Sequence, residues 1–282
     1  AGNLSELNVT LGALDQALAD AERSVELADR SGDAFERMVN RTTLADAHHQ
    51  RGEVASALAL FEEAEAMQAD RQPSAPRLYS IQGYQYCDLL LADGDASSAR
   101  AVIERADYML DWARTSAVSS VLCNATANLS LARAWTILAH RSDADSPDAS
   151  QQARTHLDRA VEGLRAAGTE HHLPRGLLAR AAFSRLIDRN DTAADRDLQE
   201  VEDLADRCGM RLFACDAHLE RARLLRDLST DDNAREQARP HIEMAKALIA
   251  ETGYHRRDRE LANLERWLSG EVIPKDVLGV WG

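Results

Sequence analysis

Six times along this chain a small residue is followed four positions later by a bulky apolar one, and three later by another small one. The clearest copies are Ala57/Phe61/Ala64, Ala99/Ile103/Ala106, Ala153/Leu157/Ala160 and Ala238/Ile242/Ala245. Ala194/Leu198/Val201 keeps the spacing with a larger last residue, and Ala17/Ala21/Ser24 is a degraded first copy. The steps between the first residues, from 17 to 57, 99, 153, 194 and 238, are 40, 42, 54, 41 and 44 residues. A recurrence of this length implies stacked helical hairpins, none of which can bury its apolar face alone. The expected fold is all-α, a right-handed α-solenoid of about six helical hairpins with a C-terminal capping helix.

Turn signals punctuate the copies. Gly12, Gly52 and Gly94 each stand five residues before an anchor, Asp148 and Asn233 hold that place in later copies, and Asn190 sits one residue closer. These residue types tolerate the left-handed backbone that ends one helix and leads into the next. First helices of the hairpins are expected near 35–50, 76–92, 116–140, 173–189 and 210–228. Second helices are expected near 13–30, 54–70, 96–114, 150–167, 192–207 and 234–252. The polar stretch from Ser142 to Ala149 reads as an exposed insertion that accounts for the long step. Pro240 conflicts with a helix beginning at Ala234, and a start near Ala238 would remove the conflict. The array spans 1–269, with a cap over 254–269 whose Arg256, Arg257, Arg259, Glu260 and Glu265 supply a wettable face. The apolar tail 270–282 is expected to pack on its own chain.

Composition narrows the function. The net charge of −14 makes nucleic acid an unexpected partner. No run of about 18 apolar residues is present, so no membrane span is expected. There is no signal peptide, and the start at Ala1 reads as a piece of something longer or a processed product. Cys87, Cys123, Cys208 and Cys215 follow no disulfide framework and read as small core residues of a cytoplasmic protein. Lys246 and Lys275 are the only lysines and neither follows a glycine, so a phosphate-cradling Gly-Lys-Ser/Thr loop is excluded.

The small-large-small spacing on the second helix of each hairpin resembles the tetratricopeptide signature, at a longer period. Three stretches sharpen the likeness: His172 to Ala181, Gly209 to Leu224, and Glu251 to Asp258. Together they resemble the long-period tetratricopeptide arrays at the C-terminus of bacterial STAND (NACHT-like) signalling ATPases, covering about the last 110 residues well. The resemblance implies a sensor that restrains an NTPase on missing N-terminal domains until a ligand engages, and it transfers no catalytic residue.

Catalytic and metal constellations are correspondingly thin. No His-Glu-x-x-His helix or Gly-x-Ser-x-Gly elbow occurs. The adjacent pairs His48-His49 and His171-His172 project to different faces and read as exposed or turn histidines. Cys208, Cys215 and His218 only loosely imitate a metal site, so neither metal nor cofactor is expected. An all-α enzyme such as a terpenoid-type synthase or an α/α toroid would need clustered Asp-rich motifs on facing helices and an aromatic-lined cavity, whereas Asp143, Asp145 and Asp148 lie in a loop and only 5% of the residues are aromatic. No enzyme activity is expected.

Arg180 and Glu220 stand on semi-apolar faces of successive first helices, where an unpaired charge is costly. They are expected to pair with each other across the repeat boundary, or else Arg180 faces a partner in the groove. The concave wall is expected to present Asp46, His49, Tyr84, Asp88, Asp216 and His218, with Tyr84 equally suited to filling the gap between hairpins. The reading is a non-catalytic scaffold for a protein or peptide, or for missing domains of its own polypeptide. The alternatives are a stand-alone adaptor and a small-molecule sensor. An open groove would favour a peptide; a closed cavity would favour a small molecule.

Overall fold

The computed structural model describes residues 2–115, 120–142, 147–228 and 232–273, and all regular structure among them is helical. The helices are α1 (Gly2–Leu11), α2 (Leu14–Ser31), α3 (Ala34–Gln50), α4 (Val54–Arg71), α5 (Ser80–Leu90), α6 (Ala96–Thr115) and α7 (Val121–His140). They continue as α8 (Ala149–Ala166), α9 (Leu173–Phe183), α10 (Asp191–Cys208), α11 (Arg211–Leu228), α12 (Asp232–Thr252) and α13 (Asp258–Leu268). A π-helical turn over Ser184–Asp188 extends α9, and short 3-10 turns precede α9 and α13. None of these helices is long and apolar enough to cross a membrane.

All six anchor triplets fall on even-numbered helices. Ala17, Ala21, Ala57, Phe61, Ala64, Ala99, Ala106, Ala153, Ala160, Leu198, Val201, Ala238 and Ala245 are fully buried, and only Ile103 is partly covered. Small residues at both ends of a triplet let the neighbouring odd helix approach closely, and the bulky residue between them fills the contact. Each helix packs on the next in sequence. The odd-numbered helices also pack on one another in order, α1 on α3 through to α11 on α13, and α1 returns to lie against α11.

That return joins the two ends of the described chain. Val9, Leu14 and Ala17 share an apolar cluster with Leu212, Cys215 and Leu219 and with residues of α12 and α13. Two glycines line the seam with positive φ. A Cβ on Gly52 would stand 3.1 Å from the carbonyl carbon of His255 and 3.2 Å from the Arg256 nitrogen. One on Gly12 would come within 2.9 Å of the Thr252 Cγ2. Glycine is therefore required there twice over, by backbone conformation and by contact.

Several expectations need correction. Helix α1 was not anticipated: Ser5 and Val9 face inward while Leu4, Leu7 and Leu11 stay exposed, so its apolar period points away from its buried side. Asn190 is not left-handed but caps α10, accepting from the Ala193 nitrogen at 3.1 Å, and Arg189 takes the positive φ instead. Asp148 also has negative φ, and Asn233 lies inside α12. α12 starts before Pro240 and carries it internally. Ile273, at the start of the apolar tail, is buried against the last helices whereas Val272 is exposed. The rest of the tail, residues 143–146 of the polar insertion and the expected helical residues 116–119 lie outside the described residues.

Candidate functional site

Residues from every odd helix from α1 to α11, together with Tyr254, Arg256 and Arg257 of the turn before α13, line one central cavity of about 90 Å³. A water needs roughly 10–15 Å³ of such space, so this cavity has room for several waters or a compact ligand. The wall is polar. Asp88 of α5 receives Arg133 of α7 (2.5 Å) and Arg256 (2.8 Å), and Arg256 also donates to the Gln50 side chain of α3 at 3.0 Å. Burial alone would raise the Asp88 pKa, but the Arg256 and Arg133 guanidinium groups overcome it and hold the carboxyl well below the usual range. Asp216 accepts from Arg257 Nε at 2.7 Å and from the Tyr254 hydroxyl at 3.2 Å.

A second charged cluster continues from the cavity into the wall. Glu220 accepts from Arg185 Nε at 2.7 Å and from Arg223 Nη1 at 3.1 Å, and Arg185 reaches Asp227 at 2.6 Å. Arg185 is 1% exposed, so its charge is held entirely by those two carboxylates. The expected Arg180–Glu220 pair does not form. Arg180 instead makes a bidentate contact to Asp197 of α10 at 2.7 and 2.8 Å, in a separate cleft outside the cavity. Positions 180 and 185 are separated by roughly 140° round an α-helix, so only the later one meets α11. Both charges are compensated, as their semi-apolar settings demanded, but by different partners.

Two groups on the cavity wall are left over. Arg175 of α9 lies over the rings of Tyr84 (5.4 Å) and Phe213 (5.7 Å), and has no hydrogen-bond or ion-pair partner among the described residues. Asp46 of α3 accepts from Gln50 (2.8 Å) and Gln85 (3.2 Å) but pairs with no cation among the described residues. Burial raises its pKa, with Arg175 and Gln50 pulling the other way. The aromatic clamp fixes the guanidinium without using its N–H donors. Those donors stay available to an anionic group.

Of the residues assigned to the concave wall, Asp46, Tyr84, Asp88 and Asp216 line the cavity. Tyr84 is buried, and its ring lies under the Arg175 guanidinium. His49 does not line it: the ring is 1% exposed, with Nδ1 3.9 Å from Asp88 and neither ring nitrogen hydrogen-bonded. It is also not the exposed or turn histidine anticipated, because α3 is covered by α5 and the turn before α13 on that side. Burial and then Arg256 push its pKa well below the ordinary value, keeping the ring neutral. His218 faces away from the cavity and meets His241. His171 and His172 do lie in a turn.

The cavity arginines were the largest omission. Arg256, Arg257 and Glu260 are expected in a wettable cap, yet all three side chains are at least nine-tenths buried, Arg256 against Asp88 and Arg257 against Glu260. Arg259 is exposed as expected, whereas Glu265 is half-buried beside Lys246. Arg175 sits in the stretch that carries the family resemblance, beside Pro174, but nothing local distinguishes it from the other arginines. Cys208 and Cys215 do not converge on His218: one lies near Glu170, the other against the Ala245 carbonyl. No protein-family profile and no curated protein matches this chain.

Proposed function

We propose that this chain is a non-catalytic recognition array, a right-handed α-solenoid of six tetratricopeptide-like hairpins and a capping helix, whose ligand site is the central cavity. The odd helices are the first helices of the hairpins and the even ones carry the anchors. The observation that supports this reading is that half-buried Arg175 and buried Asp46 face one small, otherwise ion-paired cavity and neither makes an ion-pair contact among the described residues. Buried charges in a finished core are paired. An unpaired cation and an unpaired anion on one wall suit a compact ligand with an anionic group for Arg175 and a donor for Asp46. Contact of α1 with α11, and of Arg256 with Gln50 and Asp88, brings both ends of the described chain to the cavity, which favours a compact ligand over an extended peptide.

The resemblance in residues 172–258 supports placing this array in a larger bacterial STAND-type regulator, where ligand capture would control a neighbouring NTPase in the cytoplasm. Thermal unfolding with a panel of free amino acids, dipeptides, nucleotides and sugar phosphates tests the cavity reading. A ligand that raises the Tm of the wild type but not of Arg175→Ala supports it. A panel without effect on the wild type, or effects that survive Arg175→Ala, counts against it.

A second reading concerns protein contacts. Leu4, Leu7 and Leu11 are exposed at helical spacing along one side of α1 and form an apolar stripe. It suits docking of another domain or protein, including missing domains of the same polypeptide. Leu7→Glu should weaken such an association and leave ligand binding in the cavity intact.

A further inference from the structure

Three successive helices bring Glu202 of α10, His218 of α11 and His241 of α12 to one half-buried point, with one ligand atom from each lying within 4.8 Å of the others. The two imidazoles face each other directly: His218 Nδ1 is 3.0 Å from His241 Nδ1, and the rings are tilted by 42°. A Glu202 oxygen lies 4.0 Å from the same His218 nitrogen. This point is on the side of α11 away from the cavity, since Glu220, two residues on, is a cavity residue.

We propose that Glu202, His218 and His241 form a binding site for a divalent transition ion of the zinc class. Imidazole nitrogens bind zinc at about 2.0–2.1 Å. Two nitrogens on one ion are therefore separated by roughly 2.9 Å for a right angle and 3.3 Å for a tetrahedral one. The observed 3.0 Å already falls in that interval. The Glu202 carboxylate, 4.0 Å from His218 Nδ1, needs to close on the two rings by roughly 1–1.5 Å to complete the set, and water can fill the remaining position because the site is partly open to solvent. Two imidazoles and one carboxylate select zinc, cobalt, nickel or copper over magnesium or calcium, which prefer all-oxygen shells.

The surroundings are consistent with this chemistry. Burial, followed for His218 by its neighbour His241 and for His241 by Arg221, keeps both rings on the neutral side of their usual titration, the form that ligates. Arg221 contacts both Glu202 oxygens, at 2.5 and 3.1 Å, and is itself braced by Asp195 and Gln199. For the ion to bind, Arg221 must give up one oxygen and keep the other, where it would orient the carboxylate from behind. An ion there ties the fifth pair of helices to the sixth.

The test is titration of the tag-free wild type with zinc by calorimetry, and with cobalt by visible absorption. The expected result is one ion per chain, a raised Tm, and cobalt bands of low-symmetry nitrogen and oxygen ligation. His218→Ala and His241→Ala should each lower affinity at least about tenfold, and Glu202→Gln should also weaken binding. His255→Ala, an exposed histidine elsewhere, should change nothing. Circular dichroism establishes that each variant is folded, and His218→Asn serves should the alanine variant lose structure. Failure of the wild type to bind zinc or cobalt, or affinity unchanged in His241→Ala or in Glu202→Gln, overturns the three-ligand site.

Discussion

The two faces of this molecule are built by different rules. At the anchors of the even helices, packing is apolar and local: small residues four and three positions from a bulky one, buried in all six copies apart from the half-buried Ile103. On the inner wall, packing is charged and distant: Arg256 holds Gln50 across 206 residues of chain, and Arg185 holds Asp227 across 42. The first kind of contact depends on spacing within one helix. The second depends on where the ends of the chain come to rest. A face of the first kind gains from every copy alike, whereas the charged wall has only the partners that closure brings.

The sharpest way to break this contrast is to cut one member from each face. Phe61→Ala empties a fully buried site stacked at 5.0 Å on the Tyr86 ring and should cost roughly 3–5 kcal/mol in urea unfolding. Arg185→Met leaves Glu220 and Asp227 buried beside one another without their shared cation, and a loss of about 3–5 kcal/mol is expected. Glu220→Gln should be nearly as damaging. Replacing Arg185, Glu220 and Asp227 together by apolar residues of similar volume should recover most of the loss, which no single change at Phe61 can do.

Next in size comes the seam. Arg256→Met removes the link from the turn before α13 to Asp88 and Gln50, although Arg133 still neutralises Asp88. A loss of roughly 1–3 kcal/mol is expected, read as a lower denaturation midpoint. A shallower denaturant dependence would show that the native state had opened instead.

Acid should act on the charged wall and spare the anchor face. His49 is held neutral in the fold by burial and Arg256, well below the ordinary 6.5. Below that pH the unfolded chain binds a proton that the folded chain refuses, so stability falls as pH falls. His218 and His241 shift in the same direction. Each such histidine contributes a slope of up to about 1.4 kcal/mol per pH unit. Asp88 acts at lower pH: its stabilisation is complete above the ordinary 3.8 and is lost as pH falls through its depressed folded value. Unfolding from pH 7 to pH 5 should show the first effect, and His49→Leu should flatten it.

The smallest stability change is expected where binding changes most. Arg175→Ala loses its contacts over Tyr84 and Phe213, worth about 0.5–1 kcal/mol each, and its attraction for Asp46, yet should abolish ligand-induced stabilisation.

This division also decides what could be read from the residues alone. The anchors, the glycine corners and the boundaries of most helices were legible, because each depends on residues within a turn or two. α1 was not, since its leucines face solvent and mimic the wrong side. Arg180 and Glu220 were recognised as charges that need partners, but the partners depend on which side of α9 meets α11, and the π-helical turn after Phe183 has no marker in the residues. Arg256 and Arg257 look like solvated cap residues until the seam closes over them. His218 found its neighbours only when α10, α11 and α12 were brought side by side.

Closure of the array on itself is the claim from which the cavity, the buried arginines and the ligand reading all follow. Spin labels at Glu53→Cys and Arg259→Cys, in a background with the native cysteines replaced, measure it directly by pulsed electron resonance. A single short, narrow distance in the absence of ligand is predicted, and Arg256→Met should broaden it. A long, broad distribution in the unmodified background would mean that the α3–α4 turn and the segment before α13 stand apart in solution, and the account would fail.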